Sequence, residues 1–197
     1  MKMYINGNWV DKSQTAPVLN PFDQSTLDTV PRADAADVDL AIASAVRGAK
    51  AMGAMPAYQR YAVLRRAVDL MSERAEDLAR TITLEEGKVI AEGRGEVQRA
   101  IQTITLSSEE AKRLHGETVP LDAAPGNVSQ FGFTIRVPVG VVAAISPFNF
   151  PLNLVCHKVG PALAAGNSVV LKPAGDTPLS ALKLTEILLE AGLPEEA

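Results

Sequence analysis

Hydrophobic and polar positions alternate with a period of two at the start of this 197-residue chain and then change to a helical period. From Met3 to Val10 they alternate around Asn6-Gly7, a pair that favours a tight hairpin turn because both residues accept positive φ. Val18 to Val30 reads as strand-like segments turned at Asn20-Pro21. Asp34 to Ala51 then places Val38, Ile42, Ala45 and Ala49 on one helical face. Pro56, already fixed near helical φ, sets the first turn of the next helix. There Tyr61, Leu64, Val68, Met71, Ala75, Leu78 and Ile82 step by threes and fours, predicting one long core-facing stripe with Arg60, Arg65 and Arg66 on its solvated side. Gly87 interrupts the pattern, and Gly93 and Gly95 weaken the helical signal after it. A third helix is predicted from about Glu96 to Leu114, through Val97, Ile101, Ile104 and Ala111. Residues 116–130 read as a connection, and Phe131 to Val137 alternates as a strand.

The pattern changes again near residue 140. Gly140 to Ile145 is apolar without alternation, as in a strand covered on both faces. Ser146-Pro147-Phe148-Asn149-Phe150-Pro151 ends it, because each proline lacks an N–H and pushes its predecessor towards extended geometry. Leu152 to Leu163 is helical, with Leu154, Val155, Val159 and Leu163 grouped together, and Gly166-Asn167 closes it. Ser168 to Leu171 is a second buried strand, ended by Lys172-Pro173. The result is an α/β reading: a β-α-β unit that begins a Rossmann-like parallel sheet, preceded by helices and small antiparallel strands. Open sheets of this kind bind ligands beyond the carboxyl ends of their strands. A two-strand parallel unit also has too few neighbours to cover both faces, so the chain reads as the amino-terminal piece of something longer.

Composition narrows the partners. A chain of this length with 47% hydrophobic residues can bury a sizeable core. A net charge of −4 and a pI near 5.3 argue against nucleic acid. No apolar run is long enough for a membrane span, and the start is no signal peptide, so no membrane association is expected. A single cysteine forms no internal disulfide and offers no metal-ligand spacing, making a reducing, cytoplasmic setting the default and a metal site unexpected.

PFNFP after a buried strand, then GPALAAGN, then VVLKPA followed by DTP, resembles the aldehyde dehydrogenase superfamily. YINGNWV near the start, LEEGK at 84–88 and EEAKRLHGE at 109–117 stand where that family has them. The resemblance implies oxidation of an aldehyde to a carboxylic acid with NAD or NADP, through a cysteine thiohemiacetal, hydride transfer to the nicotinamide and a glutamate-activated water. Family members are more than twice as long, so residues 1–197 correspond to the amino-terminal part of the NAD(P)-binding domain. Nucleophile, base and catalytic domain are then absent, and the piece alone is expected to be inactive. The resemblance also implies a homo-oligomer, dimer or tetramer, assembled through small strands near 3–10 and 131–137. Two other readings stay open: a non-catalytic nucleotide-binding or structural module, and a semialdehyde dehydrogenase that passes the acyl group to coenzyme A.

Asn149 is the catalytic candidate. A thiolate adding to an aldehyde creates an oxyanion that needs a fixed donor, and a carboxamide at a strand-to-helix turn supplies one. The competing reading is a helix cap, a common role for asparagine before a helix. The resemblance implies that Ile145, Ser146, Pro147 and Phe148 line the cofactor cleft, and that Lys172 contacts the adenosine ribose, with Ala174 and Gly175 beside it. Many NAD-preferring relatives carry a glutamate at the position of Gly175. Its absence removes repulsion of a 2′-phosphate, while Asp176 partly replaces the acid, so cofactor preference stays open. Gly95, Arg99, Leu154 and His157 match the family's aldehyde tunnel. A cationic Arg99 and a His157 that can take up a proton there point to an aldehyde carrying phosphate, phosphonate, sulfonate or carboxylate. The spacing of Asn149, Asn153 and His157 by four predicts that the last two share a face pointing as Asn149 does. The competing reading is Arg99 as a solvated helix residue and His157 as a satisfied core one. Cys156 reads as a buried structural thiol. Glu85 and Glu86 read as capping or solvating a helix end, and Lys158 as supporting the site's local structure or electrostatics.

Overall fold

The computed structural model describes residues 1–126 and 128–197. Asn127, inside the predicted 116–130 connection, lies outside the described residues. Strands β1 (Met3–Ile5) and β2 (Asn8–Val10) pair antiparallel around Asn6 and Gly7, whose φ values of 53° and 76° are those the turn requires. Strands β3 (Thr15–Leu19) and β4 (Thr26–Pro31) form a second hairpin, turned where Asn20 Oδ1 accepts the Phe22 N–H at 3.0 Å.

Helix α1 (Ala35–Ala54) starts at a capping box, in which Asp34 and Asp37 each accept the other's backbone N–H. Its buried residues are Ser44, Ala45, Gly48 and Met52. Val38 and Ile42, on the predicted apolar face, stay 47% and 45% exposed. The helix turns its small residues inward because a strand lies directly against it: Ser168 Oγ donates to Ala45 O at 2.6 Å.

The single helix predicted over 56–82 is two. Helix α2 (Ala57–Glu73) and helix α3 (Ala75–Glu86) meet at Arg74, whose φ of −103° and ψ of 15° leave the helical region. Leu64, Val68, Met71, Leu78 and Ile82 are all buried despite the break, so the apolar stripe reported the burial but not the backbone. Arg60 is half-buried rather than solvated. Its Nε donates to Ala164 O at 2.9 Å and another guanidinium nitrogen to Met55 O.

Helix α4 (Ile90–Glu110) begins earlier than predicted and runs through both glycines. At Gly93 a Cβ would lie 2.9 Å from Ala79 O, so glycine here lets α4 cross close to α3. Strands β5 (Thr118–Val119) and β6 (Gly132–Phe133) make a two-residue ladder, with one 3₁₀ turn at Leu121–Ala123 between them. Most of the strand predicted over 131–137 is therefore unpaired among the described residues. Phe131, Phe133, Ile135 and Val137 alternate, but each is at least 64% exposed, because nothing among the described residues covers them.

The central unit forms as predicted. Strands β7 (Val141–Ile145) and β8 (Ser168–Lys172) pair in parallel, from Val141↔Ser168 to Ile145↔Lys172, with helix α5 (Asn153–Ala164) between them and helix α6 (Leu179–Glu190) after them. Burial on both faces is corrected: in β7 only Ala144 is buried, and Ile145 is 64% exposed. Two strands alone cannot cover each other's faces. The main core lies among α2, α3, α4, α5 and α6, around Leu70, Met71, Ile104, Leu152, Leu163 and Leu184. Among the described residues no helix is long and apolar enough to cross a membrane.

Candidate active site

The turn after β7 is held from several sides. Ser146, buried, donates its backbone N–H to Lys172 O at 3.2 Å, tying the carboxyl ends of β7 and β8 together. Pro147 and Phe148 are exposed, and Thr177 Oγ1 donates to Phe148 O at 3.5 Å. Asn149 is exposed, and its side chain makes no hydrogen bond among the described residues. Its backbone carbonyl, by contrast, accepts from Lys88 Nζ at 3.0 Å. The Phe150 ring has the Lys88 ammonium 4.2 Å from its centroid and the Arg99 guanidinium carbon at 4.9 Å.

Asn149 is not a helix cap. The free N–H groups at the start of α5, those of Leu152 and Asn153, both donate to Glu96 Oε1, at 2.9 and 3.0 Å. Glu96 is fully buried on α4 and pairs through Oε2 with Lys88 Nζ at 2.8 Å. Helix α6 is capped in the same way from α3. Glu85 accepts the backbone N–H groups of Leu179 and Ser180 and the Ser180 hydroxyl. Glu85 does cap a helix, as expected of it, but a helix distant in sequence. Burial pushes its carboxyl above the usual range, opposed by the bonds from Ser180 and Leu179.

At the end of β8, Lys172 is exposed and donates to Pro173 O at 3.2 Å. Ala174 and Gly175 follow in the loop to α6, and a Cβ at Gly175 would meet no heavy atom within 4 Å. Ile145, Phe148, Lys172 and Gly175 are thus exposed around open room at the carboxyl ends of both strands. A cavity of about 950 Å³ adjoins Lys172, Ala174, Gly175 and Asp176 and continues between α1, α6 and β8 without reaching Asn149.

Arg99 is brought beside the turn through Phe150, whereas Leu154 is half-buried and His157 exposed on α5. Asn153 and His157 do not share an open face. Asn153 is 8% exposed and its Oδ1 accepts from Thr103 Oγ1 at 3.1 Å, because α4 packs directly on the start of α5. Arg99 lies one turn before Thr103 and His157 one turn after Asn153, so the two side chains flank that contact. Cys156 is completely buried, and burial together with the charge of Glu96 pushes its thiol far above the usual range. Lys158 Nζ donates to Leu154 O at 3.4 Å, within its own helix.

A family model described as the aldehyde dehydrogenase family matches residues 9–197. The chain belongs to that family. Over 193 residues it is 52% identical to a 3-sulfolactaldehyde dehydrogenase of Priestia aryabhattai, covering 98% of this chain and 40% of that one. The crystal structure of aldehyde dehydrogenase 21 from Physcomitrella patens, in complex with the reaction product succinate, matches with a TM-score of 0.94 and 44% identity, over 100% of this chain and 40% of the other. NADP-dependent glyceraldehyde-3-phosphate dehydrogenase from Bacillus halodurans C-125, complexed with NADP, matches with a TM-score of 0.95 and 36% identity, over 99% of this chain and 42% of the other. The chain spans about 40% of the length of these aldehyde dehydrogenase relatives.

Sequence reasoning passed over Glu96 as no more than a helix start, and over Lys88 as part of a motif. A signal was present. Glu96 falls in step with Gly93, Val97, Ala100 and Ile104, and Glu85 with Leu78 and Ile82, so both carboxylates sit in core-facing stripes. An acid in such a stripe needs buried donors, and two helix starts supply them.

Proposed function

We propose that this chain is the amino-terminal part of an NAD(P)-dependent aldehyde dehydrogenase that oxidises a small aldehyde bearing an anionic group. The observation that carries this reading is the free Asn149 carboxamide at the carboxyl end of β7, beside a helix start capped by another residue. Its Nδ2–H group donates to the oxyanion formed when a thiolate adds to the aldehyde carbonyl. The nucleophilic cysteine and the general-base glutamate belong to the part of the family's length that this chain does not span. Ile145, Ser146, Pro147 and Phe148 form one wall of the cofactor cleft, and Lys172, Ala174 and Gly175 hold the adenosine end. NAD or NADP, when bound, accepts the hydride. The bare backbone at Gly175 admits a 2′-phosphate, and Asp176 next to it offers an acceptor to a free ribose, so both cofactors fit.

Arg99, with Leu154 and His157, receives the substrate's anionic end. Sulfonate, carboxylate and phosphate occur in the substrates or product named for the three relatives, and a guanidinium fork binds each of them through paired hydrogen bonds. The exposed apolar strip from Phe131 to Val139 supports a homo-oligomer assembled through it, since patches of this kind mark interfaces. A single, buried thiol accords with a reducing, cytoplasmic setting.

The test is an assay of the complete polypeptide that contains this chain, with NAD and with NADP, on matched anionic and neutral aldehydes. The anionic members are expected to give the higher kcat/KM, and Asn149→Ala is expected to lower kcat by about 10²–10³-fold. Absence of any aldehyde oxidation, or an unimpaired Asn149→Ala enzyme, overturns the reading.

A further inference from the structure

We propose that Lys88 is a positioning residue for the oxyanion donor, holding the Asn149 peptide in place with Glu96 as its anchor. This rests on the role proposed for Asn149. The Lys88 side chain is only 9% exposed, and its ammonium has three oxygen neighbours: Glu96 Oε2 at 2.8 Å, Glu86 Oε2 at 3.5 Å and Asn149 O at 3.0 Å. The Phe150 ring closes over it at 4.2 Å. Glu96, with no exposed surface, holds the other end of the same turn through the N–H groups of Leu152 and Asn153.

One buried ion pair therefore brackets residues 149–153. Oε1 fixes the helix start, Oε2 fixes Lys88, and Lys88 fixes the carbonyl of the residue that carries the free amide. Pro151, between them, has no N–H to contribute, and the front of the turn is held through two backbone carbonyls, that of Phe148 by Thr177 and that of Asn149 by Lys88. A bond to the latter oxygen sets the peptide plane after Asn149, and with it the direction in which Cβ and the carboxamide leave the chain. A buried ion pair adds little stability over an apolar pair of the same volume. A directed donor to one chosen carbonyl is what apolar side chains cannot supply. Lys88 does not touch the reacting atoms. It acts through Asn149.

The experiment uses the full-length enzyme and four forms: parent, Lys88→Met, Asn149→Ala and the double variant. Lys88→Met is expected to lower kcat about a hundredfold with little change in KM, as for a displacement of roughly 1 Å at a reacting group. Lys88→Arg is expected to recover most of the loss. In the Asn149→Ala background Lys88→Met is expected to cost nothing further in kcat, because residues acting as one unit are not additive. An undiminished kcat in Lys88→Met, or the same fold-loss in both backgrounds, overturns the inference. If Lys88→Met does not fold, Lys88→Gln, which keeps one neutral donor, is read in the same cycle. An inactive parent or a fully active Asn149→Ala enzyme instead overturns the proposed function. An active parent, an impaired Asn149→Ala form and additive losses remove the positioning role alone.

Discussion

Glu85 accepts the backbone N–H of Ser180 at 2.9 Å across 95 residues of chain, and that of Leu179 at 2.7 Å. Helix α6 has no side-chain cap from its own preceding residue, so the carboxylate on α3 serves instead. Replacing Glu85 by Ala leaves two buried N–H groups without acceptors and is expected to cost about 2–4 kcal/mol. Urea unfolding, read as a shift in midpoint at constant slope, measures it. An unchanged midpoint would show that water or a neighbour replaces the cap.

The same residue makes stability depend on pH. Burial holds the folded carboxyl above its ordinary value. As pH rises through the ordinary carboxylate range, near about 4.3, the unfolded chain releases this proton first and the folded one keeps it. The unfolded state then binds fewer protons, so stability from this group is fully present below that range and is lost as pH rises through the folded pKa. Glu85→Gln is expected to flatten this part of the pH profile in thermal unfolding, and a profile parallel to the parent's would contradict the assignment.

Cys156 follows the same sign at higher pH. Complete burial, then the nearby Glu96 charge, raise its thiol. The peptide carrying Cys156 is expected to escape iodoacetamide at pH 8 in the native protein and to react fully in denaturant, as mass spectrometry reads directly. Above about pH 8.5 the unfolded thiol ionises while the folded one does not, so stability falls with rising pH, and Cys156→Ala removes that fall.

What the sequence displayed was whatever local chemistry determines. Asn6-Gly7, Pro147 to Pro151 and Gly166-Asn167 mark their turns because φ limits and missing donors act within a few residues, and β7, α5 and β8 are bounded by them. The break at Arg74 left no mark, since Leu64 to Ile82 keeps its period through it. The partners of Glu85 and Glu96 lie 94 and 56 residues away, so the apolar stripes they stand in report their burial but not which helix starts they cap. Asn149 was legible as a candidate. Whether it or another group capped α5 was decided only by where α4 packs.

Gly160 and Ser107 record how closely α4 and α5 approach. A Cβ at Gly160 would stand 2.6 Å from Ser107 Oγ and 3.1 Å from Ile104 Cδ1. Gly160→Ala gains about 1 kcal/mol of helix propensity, and overpacking costs about 1–3 kcal/mol, so a net loss is expected. Ser107→Ala in the same chain removes the closest atom, and the double variant is expected to be more stable than Gly160→Ala alone. Strictly additive changes in a denaturation cycle would mean that the helices separate instead.

Arg99 stacks on Phe150 and leaves the rest of its guanidinium exposed, one residue beyond the turn's free amide. In the role proposed for Arg99, the ring holds the guanidinium fork ready for the substrate's anionic end. Arg99→Leu is therefore expected to raise KM for an anionic aldehyde by about 10–100-fold, the value of a hydrogen bond to a charged group, and to leave a neutral aldehyde of equal length nearly unchanged. Arg99→Lys keeps the charge without the planar fork and is expected to fall between the two. Steady-state kinetics of the full-length enzyme on the matched pair decides. If KM rises equally for both aldehydes, Arg99 supports the turn and does not read the substrate's charge.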